Sequence, residues 1–105
     1  MDAGNLAELH ALMDAAARGE AHAQVTLGLA FELGHGVERD LLQAGHLYRL
    51  AAQAGVVRAQ FALGQLYEFG CDSEPQPALA RPWYERAAEQ GHDGARRRLE
   101  ALTGA

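Results

Sequence analysis

A period of 36 residues runs through this sequence and limits its fold more than any other feature. When the chain is shifted by 36 residues, Gly28 aligns with Gly64 and no gap is needed. Twelve of the 36 residues in 19–54 are identical to their counterparts in 55–90. The identical positions include Ala23, Gln24, Leu27, Glu32, Gly34, Ala44, Tyr48, Ala51 and Ala52. Self-similarity of this length predicts a stack of small units, each of which buries its apolar face against the next.

Each end of the chain carries half of a unit. Residues 1–18 match the second half of the period, and residues 91–105 match the first half. The sequence therefore predicts a single domain over 1–105, with a half-repeat, repeat 1 (19–54), repeat 2 (55–90) and a final half-repeat. Atypical units at both ends are expected in a stack, because each outer face must be closed by a more polar surface.

Two helices, A and B, are predicted in each complete unit. In repeat 1 the apolar spacing favours helix A near 21–33 and helix B near 41–54, with Asp40 as the N-cap of helix B. Helix A recurs near 57–69. Alanine and leucine are abundant throughout, and their side chains lose little rotamer freedom in a helix. We therefore expect an all-α fold, a short right-handed α-solenoid of antiparallel helix pairs with about six helices.

Local signals place the two terminal helices. Asn5 and Glu8 have the spacing of a capping box and predict a first helix near 6–18. The last helix is expected near 93–103.

Helix B of repeat 2 contains an irregularity. Pro77 suits the start of a helix, but Pro82 would remove a backbone hydrogen bond from its interior. We expect this helix to begin late, near Arg81, or to bend there.

Two glycines inside the predicted A helices need an explanation. Gly28 and Gly64 each cost roughly 1 kcal/mol relative to alanine at such a position. A repeated glycine inside a helix indicates the close approach of a neighbouring helix. We therefore predict that Tyr48 and Tyr84 of helix B lie against these glycines. In the final half-repeat, where no helix B follows, the corresponding residue is Glu100.

These motifs together resemble the Sel1-like repeat family. The resemblance rests on four segments of the sequence, Ala23–Gly28, Gly34–Asp40, Tyr48–Gly55 and Trp83–His92. It implies an α-solenoid related to the tetratricopeptide repeats and a role as a protein-interaction scaffold or adaptor in bacteria. One subset of the family carries paired cysteines and is linked to β-lactam binding. The single cysteine, Cys71, separates this chain from that subset.

Charge and composition exclude several classes of function. The formal net charge of −5 argues against nucleic-acid binding. No apolar stretch approaches the roughly 20 residues of a membrane-spanning helix, and the first residues lack the order of a secretory signal. The lone Cys71 fits a reducing compartment, so a cytoplasmic protein is expected. The arginine run 96–98 is interpreted as the solvated face of the last helix, near the negative end of its dipole.

No catalytic or metal-binding pattern is present in the sequence. Ser73 is the only serine, and no histidine is tied to it by a known motif. The five histidines lack the spacing that would place two metal ligands on one helix face. The period brings the loops of His35 and Cys71 side by side, but roughly 10 Å apart, which is too far to share zinc. We expect no enzymatic activity, no cofactor and no metal.

The exposed side of the A helices is the predicted binding surface. In solenoids of this kind helix A lines the concave groove, where partners tend to bind. Val25, Leu29 and Phe61 would act as apolar anchors within a rim of polar side chains. The predicted partner-binding residues are His22, Val25, Thr26, Leu29, Glu32, Arg58, Phe61, Ala62, Gln65, Glu68, Arg97 and Arg98. The alternative for the three anchors is burial between successive A helices.

The function predicted from the sequence is the non-enzymatic binding of a protein or peptide on this surface. One alternative is a structural role, in which copies of the chain assemble into a homo-oligomer through the exposed ends of the stack. A second alternative is a hydrolase of the kind associated with β-lactams in the cysteine-bridged relatives.

Overall fold

The residues that the structure describes form six helices, which follow one another in sequence. The structure, a computed structural model, describes residues 3–70 and 73–104. The helices are α1 (Ala3–Ala17), α2 (Ala21–Leu33), α3 (Leu41–Gln53), α4 (Val57–Phe69), α5 (Pro77–Glu89) and α6 (Asp93–Thr103). The described residues form no strand, and the all-α fold is confirmed.

The helices pack in chain order. The pairs α2 with α3 and α4 with α5 make the most extensive contacts, and α1 and α6 add one further helix at either end. The domain is elongated, with extents of 50 × 26 × 18 Å. By the 36-residue period, α2, α4 and α6 are the A helices, and α1, α3 and α5 are the B helices. This order of packing places the three A helices side by side in a solenoid.

The loop between α2 and α3 is fixed by Gly34 at its start and Asp40 at its end. Gly34 has a left-handed backbone, with φ of 74°, and its N–H donates to the carbonyl of Ala30 at 2.8 Å. Glycine suits this position because it has no Cβ to clash. The carboxylate of Asp40 then accepts hydrogen bonds from the N–H groups of Leu42 and Gln43, both at 3.1 Å. The predicted N-cap of helix B is confirmed.

Two local predictions are wrong. Helix α1 begins at Ala3 and therefore includes Asn5, which cannot be an N-cap because a cap residue has a non-helical backbone. Helix α5 begins at Pro77, so the expected late start near Arg81 is wrong, whereas the alternative of a bend there stays a prediction. Pro77 occupies the first turn, where a missing N–H has no consequence. The burial of Ala80 and Tyr84 on either side of Pro82 holds the helix together at the position of the lost hydrogen bond.

Two buried glutamines join the A helices α2 and α4 to the B helices that precede them, α1 and α3. Gln24 and Gln60 are 5% and 3% exposed. Their Nε2 atoms donate to the carbonyls of Ala16 and Ala52, at 3.2 Å in both repeats. These carbonyls lie in the last turn of the preceding helix, where backbone acceptors lack partners within the helix. The repeated glutamine is therefore a structural link between consecutive units.

Candidate protein-binding surface

The A helices α2 and α4 each carry a glycine on the side that faces helix B. A Cβ atom built on Gly28 would lie 2.8 Å from Cε1 of Tyr48, and one on Gly64 would lie 2.6 Å from Cε1 of Tyr84. Non-bonded carbons prefer separations of about 3.5–4.0 Å, so neither position has room for a side chain. Tyr48 and Tyr84 are themselves 2% and 0% exposed. The predicted contact between glycine and tyrosine is confirmed in both repeats.

The hydroxyl of each buried tyrosine is held by a carboxylate of helix A. Tyr48 Oη donates to Glu32 Oε1 at 2.6 Å, and Tyr84 Oη donates to Glu68 Oε1 at 2.7 Å. Arg98 of α6 forms a two-pronged contact with Glu68, in which its Nε lies 3.0 Å from Oε1 and its Nη2 contacts Oε2. The second repeat is therefore tied to the last helix by a three-residue polar cluster.

This geometry corrects the placement of two predicted binding residues. Glu32 and Glu68 each follow the helix-A glycine by four residues, about one helical turn, so they lie on the side that faces helix B. The side chain of Glu68 is only 7% exposed. Both carboxylates serve the contact between the two helices of a repeat.

Burial and hydrogen bonding shift the pKa values of these groups. Desolvation, followed by the nearby carboxylates, raises the pKa of Tyr48 and of Tyr84 well above the ordinary value of 10.0. The hydrogen bond from Arg98 lowers the pKa of Glu68 below its ordinary value. The cluster is therefore most stable with neutral tyrosines and an ionised Glu68.

Alkaline solution should destabilise the fold. Because the folded state raises the pKa of Tyr48 and Tyr84, their contribution to stability is complete below the unfolded value of about 10 and is lost as the pH rises above it. The chain has no lysine, so its three tyrosines dominate titration in this range. Urea denaturation between pH 8 and 11 should show the free energy of unfolding falling above pH 10. The double variant Tyr48→Phe/Tyr84→Phe should lose most of this dependence, whereas Tyr67→Phe should keep it. A wild-type stability that stays constant to pH 11 would contradict the assignment.

Two predicted apolar anchors pack between repeats. Val25 is 6% exposed and belongs to a core cluster with Tyr48 and Leu63. Phe61 is half-buried and stacks on the ring of His92, with the ring centroids 4.3 Å apart. For Val25 and Phe61 the burial alternative therefore describes the structure. The reason is that both side chains point along the stack toward the next unit.

The two predicted arginines of the last helix differ in their contacts. Arg97 is exposed and occupies on α6 the repeat position of Val25 and Phe61. Arg98, besides its contact with Glu68, places its guanidinium carbon 5.4 Å from the centroid of the Phe69 ring. Arg98 is therefore engaged within the domain, and Arg97 is free in the part of the chain that the structure describes.

Several of the predicted residues lie with two further residues in a row on each of two neighbouring helices, α2 and α4. Residues at spacings of four, three and four share one face of a helix. We call these two rows the A-helix surface. It consists of the exposed residues His22, Thr26, Leu29 and Leu33 on α2 and Arg58, Gln65 and Phe69 on α4, together with Ala62. Ala62 was expected to be exposed, but it is partly buried against the core cluster of Val25 and Tyr48.

Two members of the A-helix surface were missed in the sequence. Leu33 and Phe69 are 51% and 55% exposed and occupy equivalent positions at the end of their helices. Each follows a predicted binding residue, Leu29 or Gln65, by four positions, and this spacing indicates the same helix face. With Leu29, which is 46% exposed, they give this surface an apolar end.

Neither a cluster of metal ligands nor a membrane-spanning helix occurs among the described residues. No group of three or more histidines, cysteines, aspartates or glutamates within 3–70 and 73–104 could hold a metal ion. Cys71, whose loop is predicted to lie roughly 10 Å from that of His35, is outside the described residues. Across the same ranges, none of the helices has the length and apolar character needed to traverse a bilayer.

A separate groove lies between α1, α2 and α3. It has a volume of about 480 Å³ and an apolar lining that includes Met13, Leu47 and Leu50. In repeat 2 the position of Leu47 is taken by Trp83, whose larger ring lies under the guanidinium of Arg86 at 4.5 Å. The groove therefore reflects smaller side chains in repeat 1.

Comparison with known proteins identifies the repeat. The model of the Sel1 repeat family matches residues 21–56 and 57–92. A crystal structure of a Sel1 repeat protein from Oxalobacter formigenes is 40% identical and superposes with a TM-score of 0.81, over 86% of this chain and 68% of that one. A protective antigen present in uropathogenic Escherichia coli strains, which displays an SLR fold, is 31% identical with a TM-score of 0.85. That match covers 90% of this chain and 20% of the antigen. No curated protein sequence matches the chain significantly.

Proposed function

Because the chain belongs to the Sel1 repeat family, whose members are generally protein-interaction modules, we propose that it is a non-enzymatic module that binds a protein or peptide on its A-helix surface. The observation that carries this proposal is the exposure of Leu29, Leu33 and Phe69 on adjacent helices. Large apolar side chains grouped on a surface mark interaction sites, because covering them removes apolar area from water.

The rest of the A-helix surface suits a protein partner. Gln65 is exposed and can donate or accept hydrogen bonds beside the apolar residues. Thr26 is also exposed, and its hydroxyl, which donates to the carbonyl of His22, can accept a hydrogen bond. An apolar centre with polar groups at its rim is the usual anatomy of a protein interface. The helices that carry these residues are fixed by the buried tyrosines, so the surface is preformed.

Self-assembly through the end of the stack has less support. Glu100 on α6 occupies the position of Gly28 and Gly64 and is exposed. A further helix B that carried a tyrosine could not approach α6 as Tyr84 approaches α4, because the Glu100 side chain would fill the space. We therefore favour binding of a different molecule over stacking of copies.

Substitution of the apolar end should abolish binding without unfolding the domain. We expect Leu33→Ser/Phe69→Ser to weaken peptide binding by about tenfold or more, since each serine removes an apolar contact. The ligands would be peptides selected from a random display library on the wild-type protein, with affinities measured by fluorescence anisotropy. Both side chains are more than half exposed, so the melting temperature should change little.

The matched control is Leu42→Ser/Leu79→Ser, which changes two exposed leucines of the B helices α3 and α5. This variant should bind the selected peptides as the wild type does. Equal affinity of all three proteins, or a loss confined to the B-helix variant, would contradict the proposed surface. Phe61 is unsuitable for this test, because its removal would also break the stack with His92.

A further inference from the structure

The charges on the A-helix surface differ in sign from those of the whole chain. The chain has a formal net charge of −5. The A-helix surface contains Arg58 and His22 and has no carboxylate. Arg58 is exposed and makes no hydrogen bond or ion pair with any residue that the structure describes. Arg97, on the neighbouring A helix, is also exposed without such a partner.

The carboxylates of the A helices are directed elsewhere. Glu32 and Glu68 face helix B, where they accept the tyrosine hydroxyls, and Glu68 is also neutralised by Arg98. On α6, Glu100 occupies the repeat position that faces helix B, and Asp93 forms an ion pair with Arg96. Neither α2 nor α4 has an acidic residue in its first turn. The positive charge of Arg58 is therefore not compensated by an acid on its own helix face.

We infer that the partner presents an acidic segment of polypeptide, whose carboxylates contact Arg58 and whose apolar side chain packs on Leu33 and Phe69. This inference rests on the proposed function and adds the chemistry of the partner. Arginine is well suited to the role, since its guanidinium can bind a carboxylate through two parallel hydrogen bonds. An opposite charge on the partner would also speed association and disfavour basic competitors.

The geometry sets the spacing in the bound segment. Arg58 and Phe69 are eleven residues apart on α4, which corresponds to about 16 Å at a rise of 1.5 Å per residue. An extended chain advances about 3.3 Å per residue, so about five residues separate the acidic and apolar side chains of the segment. A segment that lies along the helix in this way reaches both ends of the A-helix surface.

A nucleic acid is a poorer fit to the same arginines. Binding of a phosphate backbone draws on many cationic contacts, and this surface supplies few of them on a chain of net negative charge. Phe69 and the imidazole of His22 are the only exposed rings among the residues of this surface, too few to form a platform for successive bases. The apolar residues that dominate one end favour a polypeptide.

The test uses synthetic twelve-residue peptides of defined sequence. The acidic probe carries two glutamates and, five residues later, a leucine and a phenylalanine in a serine-glycine background. The basic and neutral probes replace the glutamates with lysine or glutamine, and a twelve-nucleotide single strand tests the alternative polymer. Fluorescence anisotropy at 50 and 300 mM salt should show the acidic probe binding about tenfold more tightly than the basic one, with the difference reduced at high salt.

Two charge-reversal variants locate the effect. Arg58→Glu should remove the preference for the acidic probe, whereas Arg81→Glu, which makes the same charge change on α5, should preserve it. Equal affinity for the acidic and basic probes, tighter binding of the oligonucleotide, or the same behaviour in both variants would overturn the inference. If neutral peptides bind in a manner that depends on Leu33 and Phe69, without a preference for acid, only the inference fails. If neither the probes nor any library peptide binds the A-helix surface, the proposed function fails as well.

Discussion

Replacing Gly64 with alanine should lower the free energy of unfolding by about 2 kcal/mol. The same change in an ordinary helix stabilises by up to about 1 kcal/mol, because alanine has the higher helix propensity. Here the new methyl group would lie 2.6 Å from Cε1 and 2.7 Å from Cδ1 of Tyr84. That ring is fully buried and its hydroxyl is held by Glu68, so it cannot swing away. Overpacking of this kind costs about 1–3 kcal/mol, which reverses the sign of the substitution.

The matched control is Gly45→Ala in α3. A Cβ at Gly45 would meet only Leu66 Cδ1 at 3.7 Å, an ordinary contact. This variant should be neutral or more stable by up to about 1 kcal/mol. Urea denaturation followed by circular dichroism measures both. Equal free energies of unfolding for the two alanine variants would contradict the close contact between Gly64 and the ring of Tyr84. Gly28→Ala should fall between them, since its nearest tyrosine atom is 2.8 Å away.

Removal of the Glu68 carboxylate should destabilise the domain by about 3 kcal/mol. Glu68→Ala leaves the hydroxyl of Tyr84 buried without an acceptor and deprives Arg98 of its counter-charge. An unsatisfied buried polar group costs about 1–3 kcal/mol, and a lost partly buried ion pair adds to this. Glu32→Ala should cost less, because Glu32 holds only Tyr48.

Glu100→Ala provides the comparison for Glu68, because Glu100 is exposed on the last helix. It should change stability by no more than about 0.5 kcal/mol. The pH dependence gives a second measurement. Since the folded state lowers the pKa of Glu68, its contribution is present above the unfolded value of about 4.3 and is lost as the pH falls below it. Thermal melts in which Glu68→Ala matches Glu100→Ala would show that the Glu68 carboxylate is free for a partner.

The repeat predicts most of the architecture correctly, for a physical reason. Periodicity, capping residues and glycines act over short stretches, so the bounds of α2 and α4, the Asp40 cap and the glycine–tyrosine contacts can be predicted from local sequence. The buried hydrogen bonds of Gln24 and Gln60 join separate helices. The sequence shows that these residues repeat but not which acceptor they use.

The exposure of the individual helix-A residues was predicted less well, because the sequence does not fix the rotation of helix A about its axis. The contact of the helix-A glycine with helix B fixes this rotation. Once Gly28 is placed against Tyr48, Glu32 must lie on the same side, whereas Leu29 and Leu33 lie on the exposed side. Val25 and Phe61 point toward the next unit, where only the three-dimensional stack shows that they are covered.

The docking surface can be located directly by titrating the tightest peptide from the display library into ¹⁵N-labelled protein. We expect the largest amide chemical-shift changes along the A helices, at Thr26, Leu33, Arg58 and Phe69, with little change around Leu42 and Leu79. Shifts centred on the B helices α3 and α5, with Leu33 and Phe69 unmoved, would contradict the assignment of binding to the A-helix surface.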